Sequence, residues 1–225
     1  PKGVPSLRFW RKNMRQNKIQ INRAMIVTIL ALAWPTMLEQ LMQTAVQYID
    51  TAMVGSLGTQ ATAAVGATTT VNWLIGSPIS ALGVGFLSFI AQAYGAKDKN
   101  AASRAVMQAV IVTVVCGGFF TALTLGLSGV IPVWMQVDVP IRDLASQYFF
   151  ILYLPMLPRT ATIIFGTALR AAGDTKTPMK VGILVNIVNV VLNLIFVAFA
   201  HLGIAGAAVS TVISQCFSAF LILRR

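Results

Sequence analysis

The sequence predicts an all-α, polytopic membrane protein, a bundle of six transmembrane helices. Three observations carry that reading. Only 10% of the 225 residues are charged, 56% are hydrophobic and the mean hydropathy is +0.76, whereas a soluble domain carries about 25% charged residues. Six apolar runs, roughly 25–51, 62–92, 104–131, 143–168, 179–200 and 204–223, reach the ~20 residues that a helix needs to cross the hydrocarbon core. The basic residues then alternate with the runs. With the N-terminal segment placed in the cytoplasm, the inner connections hold 15 of the 17 Lys and Arg, the outer ones hold only Arg142, and Arg159 lies inside the fourth run. That is the pattern of the positive-inside rule, and a wrong helix count would scramble it. Both ends are therefore expected on the cytoplasmic side.

Residues 1–24 form a basic N-terminal tail, with Lys2, Arg8, Arg11, Lys12, Arg15, Lys18 and Arg23 and no acid. It is too polar for a signal peptide. It reads either as a segment lying against anionic lipid head groups or as a basic tail with no specific role. Residues 25–225 are expected to form one six-helix unit. Pro35, Pro78, Pro155 and Pro158 fall inside the runs, which membrane helices tolerate where neighbours satisfy the freed carbonyls. Frequent glycines suit close helix packing. The net charge of +11 is accounted for by the topology, and no basic stretch accompanies a nucleic-acid recognition fold. Cys116 and Cys216 lie in apolar runs and read as packing residues. The chain starts at Pro1 and ends on Arg224 and Arg225 directly after an apolar run, which suggests part of a longer protein.

The first run carries the polar residues around which the rest is organised. Glu39, Gln43, Gln47 and Asp50 are four, four and three residues apart, so they fall within roughly 80° of arc on a helix. An ionisable residue inside a membrane helix marks a functional site by default. The fifth run has a second stripe, Asn186, Asn189 and Asn193, within about 60° of arc. The sixth adds Ser210, Thr211, Ser214 and Gln215. These groups either bond helices to one another or face water or an ion. A carboxylate from Asp50, amide carbonyls from Asn189 and Asn193 and a hydroxyl from Thr211 make a mixed oxygen set suited to Na⁺. The same carboxylate, partly desolvated, is equally able to take a proton.

Other polar residues have two readings each. Glu39 is either a second proton carrier or a structural acid bonded to Gln43 or to a neighbouring helix. Arg159, beside Pro155 and Pro158, must face protein or a water-filled cavity, where it pairs with Glu39 or shapes the cavity. His201 and Trp34, Trp73 and Trp134 read as interfacial or packing residues. Tyr48, Tyr148 and Tyr153 either line a pocket for flat cations or pack. No phosphate-binding glycine loop, metal-spaced His/Cys set or nucleophile with a partner histidine is present. An enzyme, a bound cofactor and ATP-driven transport are therefore not expected.

Three stretches resemble the multidrug and toxic compound extrusion (MATE) family of cation-coupled efflux transporters. They are PTMLEQL with QYIDTAMVGSLG at 35–41 and 47–58, AQAYGAKD at 91–98, and ALRAAGDTKTPM at 168–179. The asparagine stripe and GIAGAA at 203–208 add to the resemblance, which covers residues 25–225. It implies the N-terminal lobe of a twelve-helix transporter, with a second six-helix lobe as its partner. It also implies a coupling site for Na⁺ or H⁺ built on Asp50, Asn189, Asn193 and Thr211, with Gln43, Gln47, Glu39 and Arg159 as cavity or secondary proton residues. Many family members have an aspartate where Asn193 stands, so Asp50 is the one sure acid of the site. The expected activity is antiport of organic compounds, cationic ones foremost, across a bacterial plasma membrane. A lipid-linked oligosaccharide flippase and a non-transporting scaffold or half-size subunit are the alternatives.

Overall fold

The computed structural model describes residues 23–200 and 202–224. The basic segment up to residue 22, His201 and Arg225 lie outside the described residues. The chain divides into two compact units, 1–34 and 35–225. The described part of the first is helical and exposes Ile26, Val27, Ile29 and Leu30. The second holds the bundle.

The helices are α1 (Arg23–Gly55), α2 (Thr59–Gly95), α3 (Lys99–Leu127), the single turn α4 (Ile131–Trp134), α5 (Val139–Tyr153), α6 (Met156–Ala171), α7 (Lys176–Asn193) and α8 (Gly203–Leu223). A π-helical segment, Leu194–Phe199, continues α7. Among the described residues there is no strand. α2, α3, α7 (with its π extension) and α8 are each long and apolar enough to cross a membrane, and α5 with α6 forms a fifth, broken span. The expected count of six is met when α1, 33 residues long and carrying the polar stripe, is included.

Local chemistry sets the ends of these elements. Asp98 caps α3 by accepting from Asn100 N and Ala101 N at 3.0 Å each, which satisfies two of the orphan donors of the first turn. The carboxylate of Asp174 accepts from Thr177 N at the start of α7. Within the helices Thr44, Thr51, Thr113 and Thr160 donate back to the carbonyl four residues earlier, so their hydroxyls are tolerated in apolar surroundings.

The fourth run differs most from its expected single span. α5 and α6 meet at a 47° bend. The cause is Pro155, which has no N–H to donate to the preceding turn and whose ring clashes with it. The bend lets α6 lie between α2 and α3 on one side and α7 and α8 on the other. α6 approaches α3 closely: a Cβ on Gly117 would stand 3.1 Å from Leu157 Cα. The fifth run also departs from plain helix. Its last turn winds wide after Asn193, and Ala200 N bonds to Ile195 O at 2.8 Å. α8 starts against this turn, where a Cβ on Gly206 would stand 3.0 Å from Phe196 O.

Two apolar clusters hold the unit together. One joins Val54, Ala61, Ala64, Ile141, Tyr148, Val197 and Ala208, tying the end of α1 to α2, α5, the π segment and α8. The other joins Val71, Ile75, Ile79, Phe149, Tyr153 and Met156 along α2, α5 and α6. Many large apolar side chains are exposed, among them Leu74, Val115, Phe119 and Phe199, as expected of surfaces that face lipid or further protein rather than water.

Candidate functional site

A cavity of about 680 Å³ opens between α1, α2, α6, α7 and α8. Its wall is polar. Gln43, Gln47 and Asp50 reach it from α1, Asn186 and Asn189 from α7, Thr211, Ser214 and Gln215 from α8, and Arg159 from α6. The two stripes read from the sequence therefore face each other across one space. Asp50 is the one carboxylate among the described lining residues.

Behind Asp50 lies a buried amide relay. Asn193, 1% exposed, donates Nδ2–H to Asp50 Oδ1 at 2.6 Å and more weakly to Asn189 Oδ1 at 3.3 Å. Its carbonyl oxygen accepts from the Ser210 hydroxyl, and Ser210 stands over Ala207 O at 2.8 Å. This orientation differs from the carbonyl ligand expected of Asn193. It turns its amide N–H₂, not its carbonyl, towards the carboxylate, and it does not line the cavity. An ionised carboxylate only accepts, so it draws the donor end, while Ser210 occupies the acceptor end. Asp50, Asn189 and Thr211 remain as oxygen donors on the wall. The Thr211 hydroxyl donates to Ala207 O at 3.0 Å, which leaves its oxygen lone pairs free to accept. Among the described residues no group of three His, Cys, Asp or Glu gathers. The oxygen set at Asp50 has one carboxylate and several neutral groups.

Glu39 and Arg159 do not pair with each other, one of the two readings that the sequence left open for Arg159. Glu39 is not on the cavity wall. Both of its carboxylate oxygens accept from Arg170 Nη2, at 2.7 and 2.8 Å, and its Cγ packs over Gly182 of α7. The pair thus pins α1, α6 and α7 together. Arg170, read from the sequence as a residue of the loop, belongs to the last turn of α6, where a cation is also favoured by the helix dipole. Glu39 thus stands in an ion pair with a residue of a neighbouring helix. Arg159 donates from Nη1 to Asn72 Oδ1 at 2.7 Å, and Tyr153 OH donates to the same oxygen at 3.3 Å.

Asn72, Trp73, Ser77 and Ser80 of α2 also line the cavity, and sequence reasoning singled out none of them as a site residue except for an interfacial or packing reading of Trp73. Asn72 carries a signal that would have found it: it is an amide in the middle of a long apolar run, seven residues before Ile79. Tyr148 and Tyr153 are buried, and Tyr48 points away at 74% exposure, so these three tyrosines do not line the pocket.

Comparison with known proteins places this arrangement. Residues 35–195 match the MatE family model. Over 191 residues the chain is 29% identical to the "Probable multidrug resistance protein NorM" of Thermotoga maritima, covering 83% of this chain and 41% of that protein. It is 31% identical over 189 residues to the "Probable multidrug resistance protein YpnP" of Bacillus subtilis, covering 83% and 42%. The fold superposes on the outward-facing conformation of a multidrug resistance MATE family transporter of the MOP superfamily with a TM-score of 0.83 at 28% identity, covering 87% of this chain and 43% of that one. The chain thus spans less than half the length of these relatives.

Proposed function

Because the chain belongs to the MatE family of multidrug efflux transporters, we propose that it supplies the first lobe of a secondary antiporter. That antiporter exports organic compounds, cationic ones among them, in exchange for Na⁺ or H⁺. The observation that carries the reading is the single carboxylate of Asp50 on the cavity wall, tied by 2.6 Å to a fully buried asparagine on another helix. A cation or proton arriving at Asp50 neutralises the acceptor of that bond. The tie between α1 and α7 is then worth less, and the packing of α1 shifts. An ion that binds one packing better than the other moves the equilibrium between outward-facing and inward-facing states, and only such a difference in affinity can drive exchange. A second six-helix lobe closes the cavity from its open side. The transporter sits in a bacterial plasma membrane with the ends of this lobe in the cytoplasm, in line with the distribution of Lys and Arg. The curated relatives compared above carry the name of multidrug resistance proteins, which supports export over the flippase and scaffold alternatives.

The test is efflux of a fluorescent cationic dye from cells expressing the full-length gene, under an imposed Na⁺ gradient and then a pH gradient. Efflux is expected to follow one gradient and to vanish in Asp50→Asn with the protein still in the membrane. Full gradient-driven efflux in Asp50→Asn would overturn the assignment.

A further inference from the structure

The cavity carries a second charge that the coupling mechanism does not use. Arg159 is a permanent cation, since a guanidinium does not lose its proton in proteins. It lies mid-bundle in α6, one turn beyond the break at Pro155, and lines the same cavity as Asp50. Its partner is neutral. The Asn72 carbonyl takes one N–H from Arg159 at 2.7 Å and is shared with Tyr153 OH. No carboxylate among the described residues pairs with it. Arg170, by contrast, has Glu39 at 2.7 Å. The membrane interior tolerates a charge where it is paired or where it serves a pathway, and Arg159 is not paired.

The surroundings of Arg159 are built for an incoming acceptor. Asn72 holds one end of the fork in place, so the remaining N–H donors are oriented rather than free to search. Gly76 also faces the guanidinium, for a Cβ there would stand 3.8 Å from Nη2. Ser77 and Ser80 add hydroxyls to the same wall. Across the cavity the Ser214 hydroxyl is buried, lines the space and has no hydrogen-bond partner.

We propose that Arg159, held by Asn72, is the subsite for an oxyanion carried by the transported compound. The full transporter then prefers organic compounds that bear a carboxylate or similar acidic group, alone or beside a cationic one. The inference rests on the export reading above and adds the substrate class. An oxyanion accepts from the forked donors in a planar pair of bonds, the arrangement that arginine makes best. The same group would meet repulsion at Asp50, which places it on the α2–α6 side.

The experiment measures equilibrium binding to the purified full-length protein. The probes are a fluorescent carboxylate dye and a fluorescent cationic dye of similar size, and the readout is the ratio of their affinities. In Arg159→Gln the ratio is expected to fall in disfavour of the carboxylate dye by about tenfold or more, the loss of a charge-assisted hydrogen bond. Arg159→Lys should keep part of the preference. Asn72→Asp, which leaves the arginine in place but gives it a counter-charge, should lower the ratio in the same direction, and it serves where Arg159→Gln does not fold. A ratio within about twofold of wild type in both Arg159→Gln and Asn72→Asp, or equal losses for both dyes, would overturn the proposal and make Arg159 a structural pin. The failures are separable. Gradient-driven efflux that needs Asp50 with no change in the ratio sinks this inference alone. A changed ratio with no gradient-driven efflux sinks the export reading and leaves the subsite.

Discussion

Breaking the Glu39–Arg170 pair separates a structural acid from a second proton carrier. Both contacts run from Arg170 Nη2, at 2.7 and 2.8 Å, and the side chains are 13% exposed for Glu39 and 24% exposed for Arg170. Two unit charges this close attract by about 6 kcal/mol at an effective dielectric constant near 20. Desolvation of both groups offsets much of that. Stranding one partner of a fully buried pair costs about 3–5 kcal/mol, and exposed pairs contribute about 0–1 kcal/mol. This pair lies between those limits, so a coupling energy of about 2 kcal/mol is expected from a double-mutant cycle on Glu39→Gln, Arg170→Gln and the double variant. Each single variant should lower the thermal stability of the full-length protein. The exchanged pair, Glu39→Arg with Arg170→Glu, should recover part of the loss. Efflux per folded molecule should change little in Glu39→Gln, because the carboxylate is off the cavity wall. Coupling below about 0.5 kcal/mol would refute the structural account, since pairs that do not interact add within that margin. So would a Glu39→Gln variant that keeps its stability and loses gradient-driven efflux, an outcome that would restore Glu39 as a proton carrier.

Three further outcomes follow from the geometry. Asp50→Asn abolishes cation-coupled efflux and keeps the protein inserted, as measured by dye efflux against membrane abundance. Ser210→Ala removes the donor to the buried Asn193 carbonyl and strands that oxygen, at a cost of about 1–3 kcal/mol; thermal melting should show the loss, and the loosened amide should weaken gradient-driven efflux along with it. Gly117→Val forces a side chain against the α6 backbone at Leu157, an overpacking cost of about 1–3 kcal/mol, and Gly117→Ala a smaller one, both read as lower melting temperature with the cation dependence of efflux intact.

The bundle was legible because a bilayer imposes a length and a polarity on every span, and both are written in composition. The faces were legible too. Spacing of three and four residues put Gln43, Gln47 and Asp50 on one side of α1 and Asn186 and Asn189 on one side of α7, and those sides line one cavity. What spacing does not contain is the partner of each polar group. Glu39 meets Arg170 and not Arg159, a choice set by where the tertiary fold places α6 relative to α1, which leaves no local trace in the sequence. The amide of Asn193 points its nitrogen at Asp50 because Ser210, seventeen residues on, holds the oxygen. The wide turn after Asn193 is equally silent, for LIFVAF is as good an α-helix as a π-helix by propensity.

These misses share one physical origin, and it bears on how the site works. A polar residue in an apolar helix is expensive alone, so its presence announces that a partner exists. Which partner depends on interhelical register, and register is what alternates when a transporter changes state. The contacts whose geometry the sequence left open are therefore of two kinds. Glu39–Arg170 is a charge pair off the cavity wall, and it is suited to stay made. Asp50–Asn193 is a bond to a group that an ion can neutralise, directly on the wall, and it is suited to be exchanged. On this argument the first should survive in every state of the transporter and the second should not. Cysteine pairs engineered on α1 and α7 that leave Glu39, Asp50 and Asn193 in place should cross-link regardless of the imposed gradient when they lie beside Glu39, and to an extent that depends on the conformation favoured by substrate when they lie beside Asp50. Cross-linking of both pairs in equal measure under all conditions would mean that α1 and α7 move as one body, and the coupling step would then have to be sought elsewhere than at Asp50.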